Sequence, residues 1–511
     1  MTKFFNIREP LDARVFWALC AAVCLIGFAF RLPTLASRSL WLDETYSAWF
    51  SAIPLHELWT SVPLYETHPP MYYTLLKAWS HIFGTSEAAL RSMSVLASVA
   101  TIFVLTISGR ILRAGVTGDK VALVAALFLA VNRGNIEYAQ QARPYGIETL
   151  FAAIAILFSI RLLRQLALPS SEAPTLRTLA CSIIGLALAG GYTLWLHNTA
   201  IFIAFGIWAG LILSLLTTVR GNRWIQAQAI AIPGVLALLI WSPFVPMLMR
   251  QSANVSKMHY WIYFQHKDIL SAWYLAAGGE KAIVPVALLS ILGAFFLWRR
   301  ERTTAVHFLT VLLLPLAIVL IYSHSVKAIY ISRLFEWLAP PLLALAALGV
   351  MAGLRRPLYR AGAVLVVVVL STYTTTQFYK LQTEDWRGLV NTISTKSEPG
   401  DILIVIPNEV NVPIKYYAES VKKFPDVQYV PAAFPALDLD MPYVGNLGAP
   451  AVVPADKELV NKVMSTHHRV WLMTRKADMY DRAGIVRSEV AASHKLVGSY
   501  GTTGIVLELF E

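Results

Sequence analysis

The sequence predicts a mainly α, polytopic membrane protein. About eleven transmembrane helices with interfacial helices between them are followed by a small external α/β domain. Three observations predict it. Of 511 residues, 56% are hydrophobic and only 14% charged, against about 25% charged in ordinary soluble domains. Eleven stretches approach the ~20 apolar residues that a crossing needs. Beyond Tyr379 the pattern changes to short apolar runs separated by helical ones. A chain of this composition cannot cover a globular surface with polar groups, which excludes a soluble enzyme. It also excludes a disordered protein, which needs low hydrophobicity and high charge. Cys20, Cys24 and Cys181 all lie inside apolar runs, so they form no disulfide framework and say nothing of redox compartment.

The expected spans are 15–35, 91–109, 120–138, 146–163, 179–195, 199–217, 228–249, 283–298, 306–322, 338–354 and 361–378. The third is the weakest, because its clean apolar run is only Val121 to Val131. The first is longer than a signal-peptide core and lacks a small-residue cleavage site, so it reads as a span.

Charge sets the orientation. The net charge of +12 divides into +14 over residues 1–379 and −2 over 380–511. One alternating set of connecting segments holds seventeen basic residues in 68 positions: Lys3, Arg8, Arg14, Arg110, Arg113, Lys120, Arg161, Arg164, Arg177, Arg220, Arg223, Arg299, Arg300, Arg302, Arg355, Arg356 and Arg360. The other set carries twelve over a much longer length. The positive-inside rule then puts the N-terminus in the cytoplasm. With an odd number of spans, 380–511 lies outside. Five acids (Glu9, Asp12, Asp119, Glu172, Glu301) fall on the inner side, and ten fall in or beside the outer segments. Chemistry is therefore expected on the outer face. The spans interrupt the basic residues, and no basic stripe with interleaved aromatics appears, so nucleic acid is not an expected partner.

In the tail, 401–406, 427–430, 469–474 and 504–510 read as strands, with helices at about 386–396, 455–465 and 477–492. This alternation predicts a small α/β domain. Pro and Gly punctuate 431–454, which reads as a long loop. No phosphate loop, metal-ligand cluster or nucleophile elbow occurs here. The tail is expected to be a lid for structure or acceptor recognition. The chain thus divides into a membrane domain, 1–379, and an external domain, 380–511.

Chemistry-bearing residues gather in the outer segments. The first, 36–90, contains amphipathic stretches at 44–59 and 72–83 that read as helices lying in the interface. It opens on "SLWLDETYSAWF", where Asp43 and Glu44 follow the first span. Adjacent carboxylates at a membrane surface are costly unless partnered. They read either as a general base or cation ligand, or as acids at a helix N-terminus. In "ETHPPMYYTLLKAWSHIFG", Pro69 and Pro70 hold Glu66 and His68 in an extended turn. These two leave a divalent metal open, but two ligands do not make a site. In "NRGNIEYAQQARPYGIE", Glu137, Tyr138, Gln141, Arg143 and Tyr145 crowd the mouth between the third and fourth spans. Arg143 suits a phosphate through its planar fork, or snorkels to the interface. His197 and Asn198 form the outer turn of "YTLWLHNTA", and Lys327 and Arg333 open the tenth span in "KAIYISRLFEW".

An Asp-Glu pair after the first span, "HPPMYY" leading an interfacial helix, "SEAALRSMSVL" opening the second span and "QQARPY" before the fourth resemble the GT-C superfamily. These are polytopic glycosyltransferases that use polyprenyl-phosphate sugars. The nearest branch is similar to the glycosyltransferase 39-like group, related to protein O-mannosyltransferases and lipid A aminoarabinose transferases. "DWRGLVNTI…PGDILIV" resembles the outer domain of that group. The aminoarabinose transferases carry Lys before the Pro-Pro pair, where this chain has His68.

The resemblance implies a GT-C-type fold and an inverting sugar transfer at the outer face of a bacterial inner membrane. The partners are a polyprenyl-phosphate sugar, membrane lipid and an envelope acceptor: lipid A core, polysaccharide, another lipid or a protein. It implies Asp43 as base with Glu44 in support. His68, Arg143, Lys327 and Arg333 fall to the donor phosphate, and Glu66, Tyr138, Gln141, Tyr145, His197 and Asn198 to substrate binding. It implies no definite cofactor, and a divalent metal stays open. The alternative from another class is a secondary transporter or lipid-linked sugar flippase. Eleven spans allow it. The absence of a repeat between the halves, and the clustering of ionisable residues at outer span ends, favour the enzyme.

Overall fold

The computed structural model describes residues 11–112, 118–168, 174–219, 222–256, 262, 264–437, 443, 445 and 447–511. Lys3, Arg8, Glu9, Arg113, Glu172 and Arg220, which enter the charge sorting, lie outside the described residues.

Among the described residues, ten helices are long and apolar enough to cross a membrane. They are Ala13–Arg31, Glu87–Ile111, Tyr145–Leu166, Leu176–Leu194, Ala200–Thr217, Arg223–Ala253, Ile283–Arg300, Arg302–Ser325, Ser332–Gly353 and Pro357–Phe378. The third expected span is in two pieces, Gly118–Ala130 and Arg133–Ala139, bent by 61°. The bend has a local cause. The apolar run ends at Val131, and Asn132 takes an extended backbone and caps the second piece, its Oδ1 accepting the Asn135 N–H at 3.0 Å. Its Nδ2 donates to the Ala276 carbonyl at 3.0 Å. Counting this broken crossing gives eleven.

The chain forms two compact units that are not consecutive in sequence. The first takes residues up to Leu35, Arg91–Pro246 and Ile262–Lys380, and so holds nearly all of the apolar helices. Gly293 and Gly349 mark a close helix crossing. A Cβ on Gly293 would run into the Leu345 carbonyl, and one on Gly349 into the Leu289 carbonyl. Small residues permit such backbone approach between apolar helices.

The second unit joins Ala36–Leu90, a stretch beginning at Met247, and Leu381–Glu511. Its first part forms helices Leu42–Ala52, Leu55–Thr60 and Met71–Phe83. The expected stretch 44–59 is broken because Ile53, before Pro54, is extended. The tail builds a five-stranded mixed sheet from β1 (Ile402–Ile406), β2 (Asp426–Tyr429), β3 (Val470–Arg475), β4 (Leu496–Thr502) and β5 (Ile505–Phe510), in the order β2-β1-β3-β5-β4. β1 runs parallel to β2 and β3, and β5 runs antiparallel to β3 and β4. β1 is buried along its whole length, as a strand covered on both faces must be. Trp386, Val390 and Ile393 of helix Trp386–Lys396 pack with Leu403, Val405 and Trp471.

Three features of the tail differ from expectation. β4 lies where no strand is expected, and helix Asn411–Ala418 falls in an unassigned stretch. The expected helix 477–492 is two pieces, Ala477–Tyr480 and Ile485–Ser493, separated by Gly484 at φ 64°.

Candidate active site

Helix Leu42–Ala52 separates the two adjacent acids. Glu44 is fully buried, and its Oε2 turns back to accept the Trp41 N–H at 3.2 Å. It thereby satisfies a donor that the helix start leaves unpaired. Asp43 remains half-buried, on the same first turn.

What faces this turn comes from the tail. Glu384 Oε2 accepts the Leu42 N–H and the Trp386 Nε1–H, both at 3.0 Å. Its Oε1 pairs with Arg475, from Nε at 2.8 Å and from Nη2 at 2.7 Å. Glu409, also buried, accepts the Tyr46 hydroxyl at 3.2 Å and the Tyr480 hydroxyl at 3.3 Å, and lies 3.6 Å from Arg475 Nη1. Burial works against the charge on Arg475. Glu384 and Glu409 overcome it, with Asp43 adding to them, and hold the guanidinium above its ordinary pKa. Lys476 sits next to it at φ 48°, in the left-handed region that non-glycine residues seldom adopt. Shielding from water and the neighbouring Arg475 push its pKa down, while Glu409, Asp43 and Glu384 push it up; the net direction is down.

Beside this helix lies an aromatic group. Tyr46, Trp49 and Tyr65 all contact Phe434, with ring centroids 5.5, 5.8 and 6.1 Å away. Phe50 meets Tyr73 at 4.9 Å. Burial, with Glu66 and Glu57 nearby, raises the Tyr65 phenol. Glu66 and His68 pair with each other: Glu66 Oε1 accepts the His68 N–H at 2.9 Å and also contacts the ring Nδ1. Gln251 fixes the turn by donating to the Glu66 carbonyl at 2.7 Å. Among the described residues, no group of three or more His, Cys, Asp and Glu is arranged to hold a metal.

The remaining expected residues belong to the first unit. Four of them come together. Tyr145 meets Tyr138 edge-on at 5.3 Å and His197 at 6.0 Å, and the Arg333 guanidinium lies 6.0 Å from the Tyr145 ring centroid. His197 Nδ1 accepts the Thr199 N–H at 3.1 Å, which leaves the ring proton on Nε2. Arg143 is buried at the start of helix Tyr145–Leu166, its carbonyl taking the Ser94 hydroxyl at 3.2 Å. Gln141 and Asn198 are half-buried, and Lys327 lies on the loop after helix Arg302–Ser325, its N–H donating to the Tyr322 carbonyl at 3.2 Å.

Two constellations were not foreseen. One is the set of tail residues Glu384, Glu409, Arg475 and Lys476. Its only sequence signal is a basic pair at the end of an apolar strand. The other is a buried network in the first unit. Arg31 donates to Ser98 Oγ at 2.8 Å, to the Gly27 carbonyl at 2.6 Å and to Asn135 Oδ1 at 2.5 Å. Asn135 and Thr149 in turn donate to the carboxylate of Glu336. Arg31 is legible as the one cation closing the first apolar run.

No protein-family model matches the sequence, and no curated protein matches it. Solved structures do. The apo structure of ArnT from Cupriavidus metallidurans overlays with a TM-score of 0.64 at 14% identity, covering 98% of each chain. ArnT bound to undecaprenyl phosphate overlays at 0.58 and 13%, again over 98% of both. The oligosaccharyltransferase of Archaeoglobus fulgidus, in its apo form, overlays at 0.59 and 11%, covering 91% of this chain and 70% of its own. With an overlap that runs through nearly the whole of both ArnT structures, this chain of many apolar helices has the fold of those proteins.

Proposed function

We propose that the protein is an inverting glycosyltransferase. It moves a sugar from a polyprenyl-phosphate donor to an envelope acceptor at the outer face of the bacterial inner membrane. The acceptor is lipid A core, a polysaccharide, another lipid or a protein. The N-terminus is cytoplasmic and the tail external, as the charge distribution requires. The reading draws support from the fold shared with ArnT, which one solved structure holds with undecaprenyl phosphate. The archaeal oligosaccharyltransferase AglB is likewise known in complex with a dolichol-phosphate.

The chemistry follows from what has to move. An acceptor hydroxyl forms a bond to the anomeric carbon as that carbon's bond to the phosphate oxygen breaks. The hydroxyl proton passes to a carboxylate, and the polyprenyl phosphate leaves with the bonding pair. No acid need protonate it, but cations must meet its growing charge. Asp43 is the base in this scheme. Arg143 and Arg333 are assigned to the phosphate, with His68 and Lys327 assisting. Glu66, Tyr138, Gln141, Tyr145, His197 and Asn198 are assigned to substrate binding, and Glu44 holds the turn that carries Asp43. The observation that carries the reading is the different fate of the two acids: Glu44 is buried on a backbone amide, while Asp43 stays accessible.

Asp43→Asn tests it, because the amide keeps shape and capping ability but cannot take the proton. The purified variant should melt with the parent, bind undecaprenyl phosphate and lose transfer by ~10²–10⁴-fold. Near-normal transfer would overturn the assignment. Mass spectrometry of envelope glycolipids with and without the gene product names donor sugar and acceptor together.

A further inference from the structure

We propose that Arg475 is a positioning residue for Asp43: held by Glu384 and Glu409 of the tail, it anchors the first turn of helix Leu42–Ala52 and adds a fixed positive charge on the side of the Asp43 carboxylate.

The geometry carries this in two steps, both inside the second unit. The first is mechanical. Glu384 uses one oxygen for Arg475, at 2.7–2.8 Å, and the other for the Leu42 N–H at 3.0 Å. Leu42 is the residue immediately before Asp43. Arg475 therefore fixes the rotamer of a carboxylate that holds the backbone bearing the base. Glu409 repeats the arrangement one turn on, reaching Tyr46 at 3.2 Å. A guanidinium suits this work because its planar fork addresses two carboxylates with defined geometry. Arg475 itself is located by the sheet: it ends β3, opposite Ile505 of β5, and is 7% exposed.

The second step is electrostatic. Among the described residues, the titratable and charged groups tied to this turn include Glu44 and Tyr46 on its own helix, and Glu384, Glu409, Arg475 and Lys476 from the tail, with Tyr480 bonded to Glu409. Glu44 is committed to the Trp41 amide, and Glu384 and Glu409 are committed to Arg475 and to hydrogen-bond donors. Arg475 and Lys476 both interact with Asp43 through charge. The left-handed backbone at Lys476 turns the chain sharply at the strand's end, so that consecutive cations both serve this corner. A nearby cation favours the ionised carboxylate, the form a general base must hold before the acceptor arrives.

The inference rests on the reading of Asp43 as the base, and its test is chosen to stand apart from turnover. Carbodiimide with an amine modifies the protonated carboxyl, so the extent of labelling at Asp43 against pH, read by peptide mass spectrometry, reports its titration. The full-length protein in detergent is used, with undecaprenyl phosphate binding and the melting transition as controls of fold. In Arg475→Gln the labelling midpoint should move to higher pH, and exchange of the Leu42 amide should quicken by about tenfold as its acceptor loosens. In Arg475→Lys the midpoint should stay near that of the parent, while the amide still exchanges faster, because an ammonium keeps the charge but not the fork. An unchanged midpoint and unchanged exchange in Arg475→Gln overturn the proposal. Should Arg475→Gln lose its melting transition, Arg475→Lys decides alone: faster exchange at Leu42 supports the relay, and parental exchange overturns it. Loss of transfer in Asp43→Asn with no effect at Arg475 leaves the base in place and removes the positioning role. Full transfer by Asp43→Asn, with the titration still shifted in Arg475→Gln, does the reverse.

Discussion

Arg31 Nη2 and Asn135 Oδ1 lie 2.5 Å apart, joining the end of the first apolar helix to the short second piece of the broken crossing. A buried guanidinium is tolerable only when most of its donors are satisfied. Here they meet Ser98, Asn135 and the carbonyls of Gly27, Ala130 and Leu129. Arg31→Met should therefore cost ~3–5 kcal/mol, read as a lower melting transition in detergent. Arg31→Met combined with Glu336→Gln should cost less than the sum of the two, because both belong to one network. A variant that melts with the parent would show the network to be dispensable.

The second prediction concerns the phosphate. Arg333, stationed over the Tyr145 ring, and Arg143, buried at a helix start, should each weaken undecaprenyl phosphate binding when changed to Ala. Loss of one charge-assisted contact of ~1.5–3 kcal/mol corresponds to roughly 10–150-fold in affinity. Titration of the lipid into purified variants measures it. An affinity within twofold of the parent would remove that residue from the phosphate site.

A third prediction is purely steric. Gly293 and Gly349 face each other's helix so closely that a methyl group on either meets a backbone carbonyl, which cannot swing aside. Gly293→Ala and Gly349→Ala should each cost ~1–3 kcal/mol through overpacking. Gly362, with open space around its Cβ position, should accept Ala without loss and serves as the control in the same thermal assay.

Orientation can be read directly. Cys181 is exposed, so the native cysteines are first replaced. A cysteine at Asp456 should then react with an impermeant reagent added outside, and one at Arg302 only after the inner face is opened. The opposite pattern would invert the topology and remove the external site with it.

Much of this architecture is readable from residue order, because hydropathy acts locally. Val131 ends an apolar run, and the crossing breaks there. The misses have the same explanation in reverse. β4 reads "LVGSYGT", an edge strand with one open face and two glycines, so neither an apolar run nor clean alternation marks it. Helix Asn411–Ala418 carries a proline that fits only because it lies in the first turn. At the site, the prominence of Asp43 comes from its place after a span. The residues that set its surroundings stand hundreds of positions away, and no local spacing announces that Glu384 will accept from Leu42 or that Arg475 will face Glu409. The metal left open at Glu66 and His68 gains no third ligand among the described residues.

The grouping of residues 36–90 with the tail has a consequence in time. Asp43 leaves the ribosome 432 residues before Arg475, an interval of about 20–90 s at ~5–20 residues per second. Throughout it, the acidic turn has neither Glu384 to cap Leu42 nor Glu409 to hold Tyr46. β3, which carries Arg475, is flanked on that side only when β5 pairs with it. A half-made chain in the membrane thus carries its acid without the setting that orders it. The turn gains its order only when the sheet that carries Arg475 has formed.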